Sequence, residues 1–252
     1  MNERWLVPDW PAPSNVRAVC TTRDGGVSLG RYDSLNLGDH VGDEPAHVAR
    51  NRDLLRTVIG ARPVFLQQVH GTGVVALDDA HNVVRDGTAA DACTTTSVGP
   101  ACTIMVADCL PVLFTDEAGH RVAAAHAGWR GLAGGVLEQT IEAFGAEGAG
   151  KVMAWVGPCI GPGAFEIGPE VKAAFEAHAA EAASCFRPAP APGKWLADLP
   201  ALARQRLRAA GISSVHGNDG TDAWCTVGNP SRFFSHRRDG VSGRFAGLVW
   251  KV

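Results

Sequence analysis

The sequence predicts a layered α/β (α+β) sandwich, in which helices cover β-sheets, folded as a single domain over residues 1–252. Short apolar runs of strand length alternate along the chain with amphipathic helical patterns. The 252 residues are 46% apolar and 19% charged, which allows a substantial core and argues against disorder. Single α/β domains often reach about 250 residues, and two small domains are the alternative.

Runs rich in β-branched and apolar residues predict the strands. In chain order these are Val16–Thr22, Val64–Val69, Val74–Leu77, Cys102–Val106, Val112–Thr115, Val122–Ala125, Val152–Val156 and Leu248–Val252. All of them are much shorter than the ~18 apolar residues of a membrane helix.

Helical spacing of apolar residues predicts helices at Glu44–Ile59, Gly135–Phe144 and Leu196–Ala210. The first has a proline in its first turn, and the third is followed by Gly211, which favours a helix end. The Pro/Ala-rich run Arg187–Gly193 cannot form a helix or a central strand, so we expect an exposed connection there.

Charge and cysteine content narrow the classes of function. The net charge is −3 without a block of like charges, which disfavours nucleic acids and membrane surfaces as partners. The beginning of the chain lacks the apolar segment of a signal peptide. Seven scattered cysteines without a CxxC pair argue against a disulfide scaffold. We therefore expect a soluble, cytoplasmic protein with a small-molecule substrate.

Three motifs place a reactive residue next to a predicted strand. His70 ends one strand before Gly71, Cys109 follows Asp108 in a short break between two strands, and His126 lies in a strand of small residues. Strand ends and the loops that follow them are where α/β proteins assemble their sites.

His70, Cys109 and His126 offer two nitrogens and one sulfur, a set that suits Zn²⁺ with one position left open. A Cys109 thiolate activated by His126 is a second interpretation. A buried cysteine with two hydrogen-bonded histidines is the third. The spacing alone does not decide among them.

Other residues are candidates for ligand contacts. Arg130 precedes a glycine-rich helix start, where an anion would bind, although surface arginines are equally common. The turn-rich loop that contains Arg23 can cradle a polar ligand or simply connect elements. Cys159, in the constrained turn Gly157–Pro162, can line a cleft or be a small buried thiol.

Eight motifs in this order resemble the peptidoglycan-editing-factor and purine nucleoside phosphorylase family, the laccase-domain proteins also described as polyphenol oxidases. The motifs are Thr21–Arg23, Ser34–Gly38, Val41–Asp43 with Asn51-Arg52, Gln68–Gly71, Ala107–Pro111, Ala125–Gly131, Gly157–Pro162 and Ser235–Asp239. The resemblance extends from about Val16 to Val252.

The resemblance implies a single-domain sandwich related in fold to bacterial toxins with a Cys–His hydrolase centre. It implies a zinc site on His70, Cys109 and His126, with Cu²⁺ as the alternative ion. The implied activities are phosphorolysis of adenosine, inosine, guanosine and methylthioadenosine, and adenosine deamination. A cytoplasmic amidase that removes L-serine from UDP-MurNAc-L-Ser is the first alternative, and a copper-dependent polyphenol oxidase is the second.

From these activities we expect roles for residues beside the proposed metal. In phosphorolysis, Arg130 and the adjacent helix start would hold phosphate. Asp108 would orient a ligand histidine or carry a proton, because metal-bound histidines usually need an acceptor. Arg23 and Asn36 are candidates for polar contacts with the substrate.

The chain departs from the family pattern at two places. Gly163-Ala164-Phe165 stands where the family often has cysteines and a tyrosine, and Cys93 stands at an aliphatic position. Either change can alter the pocket wall and the choice of substrate. Multicopper oxidation fits poorly, because the nine histidines are spread thinly along the chain.

Overall fold

Two β-sheets lie face to face at the centre of the computed structural model, which describes residues 4–78, 84–145 and 152–252. The smaller sheet has four strands, in the spatial order β1 (Val16–Cys20), β13 (Phe245–Lys251), β5 (Pro100–Val106) and β2 (Arg62–Phe65). Its strands are antiparallel except for β2, which is parallel to β5.

The larger sheet has six strands and carries most of the candidate site. Its spatial order is β12 (Ser214–Gly217), β8 (Val152–Val156), β6 (Leu110–Asp116), β7 (Val122–Ala127), β4 (Ala92–Thr95) and β3 (Val74–Ala76). The outer pairs β12–β8 and β3–β4 are parallel, and the inner pairs are antiparallel. A small antiparallel sheet is formed by β10 (Phe186–Pro188), β11 (Trp195–Ala197) and β9 (Glu166–Ile167).

Helices cover the outer faces of the two central sheets. They are α1 (Pro45–Ile59), α2 (Trp129–Gly134), α3 (Val136–Glu142), α4 (Pro169–Glu176) and α5 (Leu199–Ala209), whereas the short α6 (His236–Asp239) buries no residue. Leu55 of α1 packs with Leu248 of the four-stranded sheet. Leu137 of α3 and Leu202 of α5 pack on the six-stranded sheet. None of the helices in the described ranges is long and apolar enough to cross a membrane.

The alternation of side chains along β6 explains how one strand joins two cores. Leu113 points into the core between the sheets, with Ile104 and Val249. Val112 and Phe114, its neighbours, point to the opposite face and pack under the helices. The result is a single-domain, mixed α/β sandwich, as the sequence predicts.

All eight predicted strands are present, β8 with the predicted ends and the other seven with shifted ends. The strand predicted at Val64–Val69 ends at Phe65, so the expectation that His70 closes a strand is wrong. Strand β4 was not predicted, because its run Ala92–Thr95 consists of small residues and carries a weak strand pattern. Cys93, which departs from the aliphatic residue of the family pattern, lies in this strand and is buried between the sheets.

The predicted helices are also present, and the third begins later than expected. Residues 195–197 pair as β11, and Asp198 then caps α5 by accepting a hydrogen bond from the Ala201 N–H at 2.9 Å. The Pro/Ala-rich run is an exposed turn for most of its length. Its first residues belong to β10, an edge strand, where a proline is tolerated.

Candidate metal centre

The pairing of β6 with β7 brings Cys109 to His126. Leu110 lies opposite Ala127, and Pro111 lies opposite His126. Cys109 immediately precedes β6, so the same register places it beside Gly128, just after β7. The Sγ atom of Cys109 would be 3.0 Å from a Cβ built on Gly128. Residues 17 positions apart in the sequence thus become neighbours through strand register.

The pairing of β4 with β7 adds Asp91 to the same line. Ala92 lies opposite Ala125, and the His126 N–H donates to the Asp91 carbonyl at 2.7 Å. The imidazole Nδ1 of His126 lies 2.8 Å from Asp91 Oδ1, and both side chains are buried. Asp91 thus fixes the ring orientation of His126 and leaves its Nε2 free for a ligand.

Asp91 also positions His70, which lies in the loop after β2. The Asp91 carboxylate accepts the N–H groups of Val69, His70 and Gly71 at 3.2, 2.9 and 2.6 Å. These bonds hold His70 at φ 60°, a left-handed conformation that is uncommon outside glycine. One carboxylate therefore organises both histidines of the candidate site.

The three side chains converge closely enough to hold a metal ion. The ligand atoms of His70, Cys109 and His126 all lie within 4.8 Å of one another, and Cys109 Sγ is 3.8 Å from His70 Nε2. Tetrahedral zinc bonds of ordinary length separate a sulfur and a nitrogen ligand by about 3.6 Å. The donor set and its spacing therefore fit a zinc-like cation with little rearrangement.

Charge in the cluster also suits a cation. Burial opposes ionisation of Cys109, but the charge of His126 and hydrogen bonds from both histidines outweigh it and lower the pKa of the thiol to about 6. Burial works against a charged His126, yet Cys109 and Asp91 raise the pKa of this imidazole to about 9. Without an ion, the pair is a thiolate beside an imidazolium.

A polar cleft of about 290 Å³ opens on one side of Cys109. Its lining residues are His40, Gln68, His70, Met105, Val106, Ala107, Cys109, His126, His236 and Arg244. The backbone N–H of Arg244 donates to Asn36 Oδ1 at 2.8 Å, and its guanidinium donates to the carbonyls of Ser242 and Gly243. Arg244 is thus a fixed positive charge in the cleft.

An aromatic pocket of about 200 Å³ opens on the other side of Cys109. Its lining residues are Ala107, Asp108, Cys109, Trp129, Ile160, Phe165, Leu199, His236 and Arg237. Ala107, Cys109 and His236 belong to both linings, so the two cavities meet at the candidate metal centre.

The polar cleft continues away from the cluster. A cavity of about 300 Å³ shares His40, Gln68 and Met105 with it. That cavity in turn shares Arg52 and Phe65 with a groove of about 450 Å³. Four arginines line this last space, which we call the arginine groove: Arg52, Arg56, Arg62 and Arg85. Asp53 and Asp86 also line it and pair with Arg56 and Arg52, which leaves an excess of positive charge.

The structure places Asp108 next to Cys109, and its hydrogen bonds go to groups other than the two histidine rings. Its carboxylate accepts hydrogen bonds from the Thr226 hydroxyl and, at 2.6 Å, from the Arg237 N–H. These contacts hold Asp108 at φ 103° in the link between β5 and β6. We expected Asp108 to provide the acceptor for a ligand histidine, but Asp91 provides it for His126 instead.

The remaining predicted contact residues lie outside the two cavities that meet at Cys109. Arg130 is exposed, and its guanidinium stacks 4.4 Å from the ring of Trp129. Arg23 bonds to the carbonyls of Asp33 and Pro230. Asn36 is buried, with its side-chain oxygen and amide group engaged by protein partners.

Cys159 is also buried, and burial raises the pKa of its thiol well above the usual value. Its thiol donates a hydrogen bond to the Ile160 carbonyl at 3.3 Å. Within the turn Gly157–Pro162, the residue that lines the aromatic pocket is Ile160 and not Cys159. Phe165, from the first departure noted in the sequence, lines the same pocket.

Several residues of the site were not predicted. Asp91, Arg244 and His236 were missed as site residues, although His236 lies in the motif Ser235–Asp239. Arg244 follows Gly243 just before β13 and carries no local pattern that marks a site. Asp91 precedes β4, whose weak strand pattern gave no indication of its pairing with the strand of His126.

His70, Cys109 and His126 all line the polar cleft, and Cys109 also lines the aromatic pocket, so an ion held by the three would keep an open position, unlike a closed structural metal site. The chain belongs to the family described as multi-copper polyphenol oxidoreductase laccase, whose model matches residues 17–252.

The similarity to individual proteins extends over nearly the whole chain. It is 53% identical over 246 residues to a purine nucleoside phosphorylase of Pseudomonas aeruginosa, covering 98% of both chains. It is 47% identical over 249 residues to the purine nucleoside phosphorylase YfiH of Escherichia coli, again covering 98% of both. Among solved structures, a Neisseria meningitidis protein is similar with a TM-score of 0.92 and 49% identity, covering 99% of both chains. YlmD of Geobacillus stearothermophilus has a TM-score of 0.90 at 30% identity, covering 100% of this chain and 97% of its own.

Proposed function

We propose that this protein is a metal-dependent purine nucleoside phosphorylase. The observation that carries the proposal is the cluster of His70, Cys109 and His126, which faces two cavities of different chemical character. The similarity to purine nucleoside phosphorylases over nearly the whole chain supports the substrate class.

Zn²⁺ is the ion that we propose for the cluster, with Cu²⁺ as the alternative. Two imidazoles and a thiolate suit zinc, and copper binds such donors more tightly in the divalent series. His126 would bind through Nε2, because Nδ1 faces Asp91. When bound, the ion would supply a Lewis acid that polarises an oxygen atom of the substrate or of water.

The polar cleft provides the groups that phosphorolysis needs. A phosphate oxygen attacks C1′ of the ribose, the bond from C1′ to the base nitrogen breaks, and the base leaves with the bonding electrons. We assign the phosphate to Arg244, because its guanidinium lines the cleft, whereas Arg130 lies outside it. His236 lines both cavities and is therefore placed to donate a proton to the leaving base.

The substrates that we propose are adenosine, inosine, guanosine and methylthioadenosine. Adenosine deamination is proposed as a second activity of the same centre. In that reaction water replaces the amino group at C6 and ammonia leaves. We place both activities in the cytoplasm, because all seven cysteines are free thiols, as expected in a reducing compartment.

Nucleoside turnover tests this function. Protein purified without added copper is incubated with each of the proposed nucleosides, with and without inorganic phosphate, and the products are separated by chromatography. We expect free base and the 1-phosphate of the corresponding sugar only with phosphate, together with about one zinc per chain. The absence of phosphate-dependent base release from every nucleoside would contradict the proposal.

Two cysteine variants sharpen the test. Cys109→Ala should lose both the metal and the activity, because it removes the only sulfur of the cluster. Cys185→Ala alters another thiol, buried under the helices and outside both cavities, and should keep both. Full activity of Cys109→Ala would exclude both a metal ligand and a nucleophile at this position.

The extent of the cleft favours a second candidate, the amidase that removes L-serine from UDP-MurNAc-L-Ser. The polar cleft continues through a further cavity into the arginine groove, which suits a long substrate with a diphosphate. Release of serine from this precursor, without phosphorolysis of any nucleoside, would favour the amidase. We place polyphenol oxidation last, because residues 4–78, 84–145 and 152–252 contain one cluster of three metal-binding side chains and multicopper oxidation needs several ions.

A further inference from the structure

The aromatic pocket differs from the polar cleft in the chemistry of its walls. Ala107, Trp129, Ile160, Phe165 and Leu199 make most of its lining apolar. The polar cleft instead presents Arg244, Gln68 and histidines. A slot with large apolar walls and few polar groups recognises a flat, weakly polar ring system better than a sugar or a phosphate.

The walls of the aromatic pocket are fixed by contacts among the lining residues and with the adjacent backbone. The Arg237 guanidinium lies 5.6 Å from the ring centroid of Phe165 and donates to the Glu166 carbonyl at 3.0 Å. The Ile160 N–H donates to the Asp108 carbonyl at 2.9 Å. Phe165 is only 7% exposed, so its ring is held in one place. A fixed aromatic wall binds a planar ligand at little cost in side-chain order.

Three polar side chains line the aromatic pocket, those of Asp108, His236 and Arg237, and they are unequal. The Arg237 guanidinium is held against the wall by donating to the carbonyls of Ala164 and Glu166. Both carboxylate oxygens of Asp108 accept hydrogen bonds from the protein, so they offer little to a ligand. The His236 imidazole makes no side-chain hydrogen bond to any residue in the part of the chain that the structure describes, and it is exposed. It can therefore donate to or accept from a heteroatom of a ring bound in the pocket.

We propose that the aromatic pocket is the nucleobase site, with the purine stacked against Phe165 and Trp129 and its edge at His236. This assignment rests on the proposed phosphorylase function and specifies how the substrate lies. The base fills the pocket, the ribose crosses Cys109, and phosphate occupies the polar cleft at Arg244. Because stacking and one imidazole carry the recognition, adenine, hypoxanthine and guanine all fit, whereas a pyrimidine offers less stacking area.

Phe165 and His236 variants test the assignment through binding of a base that lacks the sugar. Calorimetric titration with adenine should give a Kd about 10-fold weaker for Phe165→Leu, because stacking on one wall is lost. His236→Ala should also weaken adenine binding, and it removes an exposed side chain without a protein partner, so it should fold normally. Zinc content should stay at the wild-type level in both variants.

Kinetics provide a second readout and separate this inference from the function itself. In both variants the KM for inosine should rise while the KM for phosphate stays unchanged. Phe186→Ala is the matched control, since this half-buried ring packs on Phe175 away from both cavities, and all its constants should equal the wild-type values. Unchanged adenine Kd in both variants, with an active wild type, would overturn the base site alone. A wild type that binds adenine but cleaves no nucleoside would overturn the phosphorylase and leave the base site standing.

Discussion

Asp91 is the residue on which the geometry of the candidate site depends most. Its carboxylate accepts three consecutive backbone N–H groups of the loop that carries His70, and it faces Nδ1 of His126 at 2.8 Å. Both histidines would therefore shift if this carboxylate were altered. Partners of this kind, behind the metal ligands themselves, tune metal affinity in many proteins.

Replacing Asp91→Asn should weaken zinc binding about 10- to 100-fold, because the amide cannot accept the same set of hydrogen bonds. Competition with a chromophoric chelator measures the change. Asp78→Asn is the matched control, since Asp78 accepts the Thr96 N–H and hydroxyl but lies outside the cluster. Equal zinc affinity of Asp91→Asn and the wild type would contradict the positioning role.

The same carboxylate should make the stability of the metal-free protein depend on pH. Burial opposes ionisation of Asp91, but hydrogen bonds from His126 and Gly71 outweigh it, so its pKa in the folded state is lowered. The stabilisation that Asp91 contributes is therefore complete above about pH 4, which is close to the pKa of aspartate in the unfolded chain. It is lost as the pH falls further. The pKa of His126 is raised to about 9. The stabilisation that this imidazole contributes is therefore complete below about pH 6.5, the pKa of histidine in the unfolded chain, and is lost as the pH rises through 9.

The difference in unfolding free energy between wild type and Asp91→Asn should therefore peak near pH 5 to 6. Denaturant titrations in the presence of a chelator, at intervals from about pH 3.5 to 9.5, measure it. For Asp78→Asn, which has no histidine partner, the difference should stay level from about pH 6 upward. A level difference for Asp91→Asn over the whole range would rule out the coupling with His126.

At the scale of single residues, the sequence predicted the three candidate ligands but not the contacts that hold them in place. His70, Cys109 and His126 were accessible because each lies in a recognisable motif. Asp91 was missed because its contact with His126 spans 35 positions and arises only from the pairing of β4 with β7. Arg130 was placed at a phosphate site because it precedes a glycine-rich helix start, but its guanidinium lies over the ring of Trp129 instead.

Among the elements, the turn from β7 into α2 restricts the choice of amino acid most strongly. Gly128 has φ −62°, so its backbone would accept any residue. A Cβ there would nevertheless lie 3.0 Å from Cys109 Sγ, 3.0 Å from His70 Cδ2 and 3.6 Å from His126 Cε1. Glycine is required because the backbone passes against all three candidate ligands, not because of its conformation.

Gly128→Ala should therefore lower zinc affinity by at least about 10-fold while the protein stays folded, because the new methyl group displaces ligand side chains. Metal analysis and chelator competition measure this loss. Gly163→Ala is the control, since a Cβ there meets no atom within 4 Å. Wild-type affinity in Gly128→Ala would show that the ligands do not converge as the structure describes.

Strand and helix positions were predictable to the extent that local patterns decide them. The β-branched runs that became β5 and β8 needed no knowledge of their partners. The later start of α5 was not predictable, because residues 195–197 have a helical pattern but pair with β9 and β10. Tertiary pairing overrode local preference there.

At the scale of the whole molecule, the candidate metal centre joins the two central sheets. Cys109 lies where the chain leaves β5 of one sheet and enters β6 of the other. His126 belongs to the six-stranded sheet, whereas the loop of His70 follows β2 of the four-stranded sheet. The side chain of Gln68 fixes that loop to β5, with both amide contacts to Met105 at 2.8 Å.

An ion bound to all three residues should therefore stabilise the docking of the sheets. With zinc at 1,000 times its Kd, the gain is about 4 kcal/mol, which corresponds to a rise in Tm on the order of 10 °C for a chain of this size. Scanning calorimetry with and without a chelator measures the shift. The chelator should leave the Tm of Cys109→Ala unchanged, and an equal shift in that variant would mean that the stabilising ion binds elsewhere.

The position of Cys109 between two cavities has a kinetic consequence. In the proposed reaction, a nucleoside lying across Cys109 would be divided at the boundary, with the base on the side of Trp129 and the sugar phosphate on the side of Arg244. Neither fragment has to pass the other on its way to solvent. We therefore expect release in random order, and in the reverse direction the enzyme should accept base and sugar phosphate whichever arrives first.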